Sequence, residues 1–231
     1  MGEEWVQEWP EAVEFTRWKG IENVSEDWLR RLALMALRNG WDPDALAGTI
    51  SHESGFVPSA KNPRGSASGL LQWIDATARS LGTTAEKIRR MSVDEQLPLI
   101  ERYLHRYGQG VVPLEGADFL LIGLGAHPRT PLDRVLFRQG QAPYDANVPP
   151  GSEWAVWDVD HDGTVTASNV RAYWDRWSTN QANRGTLSVE LDGPRDIPQA
   201  QIGRGGTGAG WVIALALLGG AGVWAWRRRR K

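Results

Sequence analysis

The chain has 231 residues, which is enough for one domain with appendages or for two small domains. It contains no cysteine, and this excludes a disulfide scaffold, a thiolate zinc site and a cysteine nucleophile. The net charge of −2 hides an asymmetry: without the five basic residues at positions 227–231, 21 basic residues stand against 28 acidic ones, and such an acidic body argues against nucleic-acid binding.

The N-terminal part divides into an extension and a helical body. Residues 1–24 read as an N-terminal extension, because they begin with acidic residues and contain no apolar core of the kind that a secretory signal needs. Residues 25–150 carry helix signals, and strand-like alternation is nearly absent from them. The body is therefore predicted to be mainly α.

Three helix starts are visible within the body. Ser25 precedes a helix whose apolar residues recur every three or four positions. Asp42 and Pro43 are an N-cap followed by a first-turn proline, and they begin a second helix. Ser92 begins a capping box ahead of a third helix. The short apolar segment 117–124 predicts a buried helix.

A candidate catalytic carboxyl lies at the end of the second helix. Glu53 precedes Gly55 and is flanked by the apolar residues Ile50 and Phe56, which would partly remove its carboxyl from water. Burial favours the protonated form of a carboxyl, and a general acid working near neutral pH must hold its proton. A glutamate near a helix end is usually only a solvated residue, so this fragment alone does not predict catalysis.

A second candidate segment, residues 65–73, is rich in glycine and serine. Small residues allow a backbone to approach a ligand closely. Gln72 offers a donor and an acceptor to sugar hydroxyl or N-acetyl groups, and Trp73 offers an apolar face to a sugar ring. Taken alone, the segment is more typical of a glycine-rich turn before a helix with a core tryptophan.

Together the two segments resemble the lytic transglycosylase (goose-lysozyme-like) superfamily. The resemblance rests on Glu-Ser-Gly-Phe at residues 53–56, Gly-Leu-Leu-Gln at residues 69–72 and Ala-Thr-Ala at residues 76–78. Further stretches, at residues 80–82, 91–97 and 133–137, are similar to the transglycosylase domains of phage tail and virion proteins. The resemblance covers nearly all of the body, roughly residues 25–177.

The resemblance implies a lysozyme-like α fold that cleaves the β-1,4 bond between N-acetylmuramic acid and N-acetylglucosamine in peptidoglycan. By motif, Glu53 would be the single acid/base and would need no cofactor, while the muramoyl C6 hydroxyl attacks to give a 1,6-anhydro product. Ser54 would orient the substrate or Glu53. The glycan cleft would be lined by Gly69, Leu70, Gln72 and Trp73.

The motifs leave the residue that supports Glu53 unidentified. Cellular members of the family carry a tyrosine in an Ala-x-Tyr-Asn-x-Gly motif, whereas the equivalent stretch here, residues 123–128, has none. Tyr103 and Tyr107 are candidates for this support. His52 precedes Glu53, but neighbours on a helix point about 100° apart, so His52 is expected to be structural or rim-exposed.

A calcium-loop pattern, D-x-D-x-D-G followed by a helix, lies within residues 151–177. This EF-hand-like unit is predicted to pack on the catalytic domain and to hold a structural Ca²⁺. The predicted ligands are Asp158, Asp160, Asp162, Thr164 and Asn169. Asn169 replaces the bidentate glutamate of the pattern, which removes one charge and one oxygen. A metal-free, Asp-rich turn is the alternative.

The C-terminal part predicts a tether and a membrane anchor. Residues 178–210 are rich in small and polar residues, which favours a flexible tether. Residues 211–226 are uncharged, carry tryptophan at both edges and would span about 24 Å as a helix. The basic tail 227–231 follows, and the positive-inside rule places it in the cytoplasm with the body outside.

The sequence therefore predicts a membrane-anchored murein lytic transglycosylase whose partners are peptidoglycan strands, the lipid membrane and other virion proteins. No signal that would export the body is visible, and a virus particle with an internal membrane would resolve this. A virion-associated enzyme of this kind would open the cell wall locally as the genome enters the cell. Its catalytic domain would face the peptidoglycan from the virion membrane or the host envelope.

Two alternatives stay open at this stage. The first is a muramidase that hydrolyses the same bond with Glu53, in which Asp75 positions the water or serves only as a helix cap. The second is a non-catalytic, membrane-anchored structural protein that binds glycan, against which the intact Glu53 argues.

Overall fold

The computed structural model describes residues 10–63, 65–142, 144 and 157–191. In chain order the elements are β1 (Ala12–Thr16), a single 3-10 turn (Ile21–Asn23), α1 (Glu26–Arg38), α2 (Pro43–Ser54), α3 (Asp75–Ser80), α4 (Ala85–Ile88), α5 (Val93–Tyr107), α6 (Asp118–Gly123), β2 (Val135–Arg138), β3 (Thr164–Thr166), α7 (Ala167–Ala182) and β4 (Thr186–Glu190). Helices predominate, as predicted, with two small sheets beside them. This architecture is consistent with the lysozyme-like domain that the resemblance implies.

The three predicted helix starts are confirmed. The Ser25 hydroxyl accepts the hydrogen bond that caps α1, and the Asp42 carboxylate accepts two backbone N–H groups at the start of α2. At the start of α5, Ser92 and Glu95 form a reciprocal capping box. These side chains satisfy N–H groups that have no partner inside a helix, so the helices begin where the sequence places them.

The core is apolar and lies between the long helices. Side chains that are completely buried line the facing surfaces of the helices: Leu32 on α1, Leu46 and Ile50 on α2, Ile100 on α5 and Leu121 on α6. An ion pair fastens α5 to the end of α1, because the Arg38 guanidinium donates three hydrogen bonds to the Glu101 carboxylate. The helix that carries Glu53, α2, packs into this core through Leu46 and Ile50.

The first sheet joins the two ends of the described chain. β1 and β4 pair antiparallel, with Ala12 opposite Glu190 and Thr16 opposite Thr186. This differs from two predictions, because β1 lies within the segment taken as an N-terminal extension and β4 within the segment taken as a tether. The physical reason is that each strand is only five residues long and is stabilised by a partner at the other end of the chain.

The second sheet positions the Asp-rich loop. β2 pairs antiparallel with β3, which follows that loop directly and contains the fully buried Val165. α7 begins immediately after β3, with Thr166 as its N-cap. The loop is thus held between a strand pair on one side and a helix on the other.

None of the helices that the structure describes is both long and apolar enough to cross a membrane. The predicted span 211–226, the basic tail 227–231 and the remainder of the predicted tether, 192–210, lie outside the described residues.

Candidate active site

Glu53 lies in the last turn of α2, where a buried helix reaches the surface. Its side chain is 26% exposed, whereas Ile50 and Phe56 beside it are completely buried. The helix ends at Gly55 in a left-handed conformation with φ 59°. A Cβ atom on Gly20 would lie 2.4 Å from the Gly55 carbonyl oxygen, so the turn after Glu53 packs directly on backbone. The carboxyl is therefore both accessible and rigidly supported.

The negative charge of Glu53 affects two phenols, the buried Tyr103 and the half-buried Tyr173. Burial raises the pKa of Tyr103 on α5, and the negative charge of Glu53 raises it further. Burial and the same charge raise the pKa of Tyr173 on α7. Neither of the two predicted supporting residues bonds to Glu53 through its hydroxyl: the Tyr103 hydroxyl donates to the Ile122 carbonyl oxygen at 3.2 Å, and the Tyr107 hydroxyl pairs with Ser80 Oγ at 2.7 Å.

The side chain of His52 is largely buried, which fits the structural alternative and not the rim-exposed one. Its side chain is 6% exposed, and its Nδ1 lies 3.5 Å from Glu53 Oε1. Its Nε2 lies 2.9 Å from the Tyr173 hydroxyl oxygen. The sequence expectation rested on the average direction of neighbouring helical side chains, and the rotamers here bring the two functional groups together despite that average.

An aromatic cluster surrounds the His52 ring. We use this name for Trp18, Trp157, Tyr173, Trp174 and Trp177. Trp18 stacks on Trp177 with ring centres 5.1 Å apart. Gly48 on α2 permits this packing, because a Cβ atom there would lie 2.8 Å from ring atoms of both Trp18 and Trp174. Sequence reasoning missed this cluster, although the aromatic residues of α7 share one helical face.

The side chain of Gln96 packs against the backbone of the glycine-rich segment and hydrogen-bonds to it. The Leu70 N–H donates to Gln96 Oε1 at 2.8 Å, and the Leu70 side chain is completely buried. Gly69 has φ 80°, and a Cβ atom there would lie 2.6 Å from the same oxygen. Both predicted substrate-binding residues therefore shape the backbone, and any contact of theirs with glycan would be made by main-chain atoms.

The remaining predicted binding residues differ in access. Gln72 is half-buried and its Nε2 donates to the Gly69 carbonyl oxygen at 3.0 Å. Trp73 is 2% exposed and packs edge-on against Tyr103, so its ring does not offer an open face to a sugar. The Ser54 hydroxyl donates to the Ile50 carbonyl oxygen. Burial of the Trp73 ring disfavours its stacking on a sugar, and substrate binding by Gln72 and Ser54 stays a prediction.

Asp75 is occupied by structural contacts. It is the first residue of α3, and its carboxylate pairs with Arg79 one turn later. Its other oxygen faces the Ala85 N–H at 3.5 Å. The N-cap of α3 is Ile74 and no side chain caps this helix, so Asp75 is held in an ion pair and does not cap its own helix.

The Asp-rich loop brings three of the five predicted metal ligands together. Carboxylate oxygens of Asp158, Asp160 and Asp162 lie within 4.8 Å of one another. Burial alone would raise the pKa of Asp158, but hydrogen bonds from the Tyr144 hydroxyl and from loop residues, the Gly163 N–H among them, hold it below its usual range. Asp158 is thus maintained as a carboxylate, as a cation ligand must be.

Asn169 is placed differently from the expected twelfth-position ligand. Its Oδ1 accepts hydrogen bonds from the backbone N–H and the hydroxyl of Thr166, in the capping box of α7. A backbone N–H can only donate, so the orientation of the amide is fixed and its Nδ2 donates to Asp160. The Asn169 oxygen is therefore engaged in the helix cap and turned away from the carboxylates.

The region that contains Glu53 is similar in sequence to a known protein family. The family model described as Transglycosylase SLT domain matches residues 33–96, which include α2, the glycine-rich segment, α3 and α4. No curated protein and no solved structure matches the chain. The match supports the lytic transglycosylase superfamily and, at the level of the family, an enzyme that acts on peptidoglycan.

Proposed function

We propose that the protein is a peptidoglycan lytic transglycosylase with Glu53 as its single acid/base. The observation that carries this proposal is the position of Glu53: an accessible carboxyl at the end of a buried helix, inside the range that the family model matches. Asp75 within that range and Glu101 just beyond it are carboxylates already engaged in ion pairs with arginines. Glu53 is free to exchange a proton with a substrate.

The reaction needs one carboxyl because the nucleophile belongs to the substrate. Protonated Glu53 gives its proton to the glycosidic oxygen while the bond from that oxygen to C1 of the muramoyl sugar breaks. The C6 hydroxyl of the same sugar then attacks C1, and the Glu53 carboxylate takes the hydroxyl proton. The products are a 1,6-anhydro sugar and a free N-acetylglucosamine end, and Glu53 returns to its protonated form without consuming water.

Digestion of purified peptidoglycan tests the proposal. The full chain in detergent is incubated with peptidoglycan beside Glu53→Gln and the exposed control Glu22→Gln, and the fragments are analysed by mass spectrometry. We expect 1,6-anhydromuramoyl fragments from the wild type and the control, and a loss of about 10²- to 10⁴-fold in Glu53→Gln. Fragments with reducing ends would make the enzyme a muramidase. An absence of fragments, or an active Glu53→Gln variant, would overturn the proposal.

We propose further that the enzyme is anchored in a membrane through residues 211–226 and is carried by a virus particle. The uncharged run with tryptophan at both edges and the basic tail support an anchor. The full chain should associate with lipid vesicles and resist alkaline extraction. A variant that lacks residues 211–231 should not associate with the vesicles. Detection of the chain in purified particles would support the virion setting, and its confinement to a bacterial envelope would contradict it.

A structural Ca²⁺ bound by Asp158, Asp160 and Asp162 is the companion proposal. The match of residues 158–163 to the calcium-loop pattern and the approach of the three carboxylates support it. The ion would neutralise carboxylates that otherwise repel one another. It would act on stability, since these residues belong to the loop before β3 and not to α2.

A further inference from the structure

His52 presents an unsatisfied nitrogen to the proposed acid/base. Its Nδ1 is buried and makes no hydrogen bond within the described structure, and it lies 3.5 Å from Glu53 Oε1. Hydrogen bonds between nitrogen and oxygen are usually about 2.9 Å long, so a small rotation of the carboxylate would complete this one. Catalytic hydrogen bonds often tighten in this way when the substrate binds.

Tyr173 pairs with the other nitrogen of the His52 ring. The Tyr173 hydroxyl lies 2.9 Å from His52 Nε2. Its raised pKa keeps the phenol protonated, so that it can donate to Nε2. A neutral imidazole whose Nε2 accepts a hydrogen bond carries its proton on Nδ1, which is the nitrogen that faces Glu53. While Glu53 is ionised, the opposite tautomer would point a lone pair at its carboxylate and leave both groups unsatisfied.

The surroundings of the ring prevent it from turning away. Tyr173, Trp157 and Trp177 contact it edge to face, with ring centres 5.5, 5.8 and 5.4 Å away. These residues come from α7 and from the residue just before the Asp-rich loop, outside the range that the family model matches. Close packing on this scale locks a side chain into one rotamer.

We propose that His52 is the positioning residue of Glu53, with its Nδ1–H directed to Oε1 by the hydroxyl of Tyr173. The inference rests on the proposed function and deepens it. It identifies the residue that supports Glu53, which residues 123–128 do not supply because they lack the tyrosine of the Ala-x-Tyr-Asn-x-Gly motif. With Oε1 held by His52, the second carboxyl oxygen exchanges the proton with the glycosidic oxygen and then with the C6 hydroxyl.

Three substitutions at His52 separate this role from simple packing. Asparagine places an N–H group close to the position of the imidazole Nδ1, glutamine places its amide near Nε2, and leucine supplies neither. We expect His52→Leu and His52→Gln to lower kcat by about 10- to 100-fold with KM unchanged, because a misplaced acid affects the chemical step and not glycan binding. His52→Asn should recover most of that loss. Tyr173→Phe should lower kcat less than His52→Leu, because Nδ1 keeps its place.

His105 provides the matched control, because it is a second histidine with an unpaired buried nitrogen and lies against Trp41 on another side of the fold. His105→Leu should change the melting temperature without changing kcat of the folded enzyme. Rates are referred to the folded fraction measured by circular dichroism. Should the leucine variant fail to fold, the ratio of kcat between the asparagine and glutamine variants decides.

The outcomes separate the two proposals. An inactive wild type would remove the proposed function itself. If the wild type is active and Glu53→Gln is inactive, but His52→Asn and His52→Gln lose kcat equally, only the positioning role is overturned. A loss confined to KM would overturn it as well. Rescue of kcat by asparagine but not by glutamine is the result that the geometry predicts.

Discussion

The region from α1 to α5 and the region from residue 157 to residue 191 contribute to the same site in different ways. In the first region, helices begin at side-chain caps that are visible in the sequence, and Glu53 lies at the end of one of them. In the second, β3 and β4 are held by strands far away in sequence, and α7 contributes aromatic rings to His52. Local signals therefore predict the helix that carries Glu53, whereas the packing around that residue depends on contacts distant in sequence.

The largest stability effect is expected inside the first region, at the ion pair between Arg38 and Glu101. Glu101 is 6% exposed and Arg38 22%, so removing the carboxylate leaves a partly buried cation without its partner. Glu101→Ala should lower the free energy of unfolding by about 3 kcal/mol in urea titrations. The exposed pair of Glu86 and Arg90 is the control, and Glu86→Ala should change it by less than about 0.5 kcal/mol. Equal effects would mean that the first region does not depend on this contact.

The second region should depend on calcium where the first does not. At a Ca²⁺ concentration 100 times the dissociation constant, binding to the native state alone adds about 2.7 kcal/mol of stability. The melting temperature should therefore rise with Ca²⁺ and fall with a chelator in the wild type, and should respond to neither in Asp160→Asn. Mg²⁺ serves as the control cation. Identical melting with Ca²⁺ and with chelator would show that the loop is a metal-free turn.

Substitution of Gly48 tests the packing of α2 against α7. An alanine in a helix is ordinarily more stable than a glycine by about 1 kcal/mol. At Gly48 the added methyl group would collide with Trp18 and Trp174, so Gly48→Ala should instead lose about 2 kcal/mol. Gly123 on α6 has no atom within 4 Å of an added Cβ, and Gly123→Ala should be neutral or stabilising. Chemical denaturation measures both, and a stabilised Gly48→Ala variant would show that α7 packs more loosely than described.

The smallest effect is expected at a local signal of the first region. Ser92 caps α5 by accepting the Glu95 N–H, and Ser92→Ala should lower the free energy of unfolding by about 1 kcal/mol. Ser178 on α7 makes an exposed hydrogen bond to the Asp175 carbonyl oxygen and caps no helix start, so Ser178→Ala is the control. In thermal unfolding, Ser92→Ala should lose more stability than Ser178→Ala. The reverse order would mean that the C-terminal region is the more locally determined one.

The sequence predicts the helical part of the fold because a cap and an apolar period lie within a few residues of each other. It does not predict β1 and β4, since two five-residue strands become recognisable only when they pair. The relation between His52 and Tyr173 is equally invisible, because 121 positions separate them. Asn169 shows a different limit: one amide can serve as a metal ligand or as a helix cap, and only the Thr166 N–H decides between them.

The pairing of β1 with β4 has a consequence for the order in which the protein is made. Synthesis proceeds from the N-terminus, and domains fold as their chain emerges. β1 is among the first described elements to be made, yet its partner is the last, since Ala12 lies opposite Glu190. The nascent chain therefore carries Glu53 through most of its synthesis without Tyr173 beside His52. Translation of α7 and β4 completes the site, so a polypeptide released before that point has the acid but lacks its surroundings.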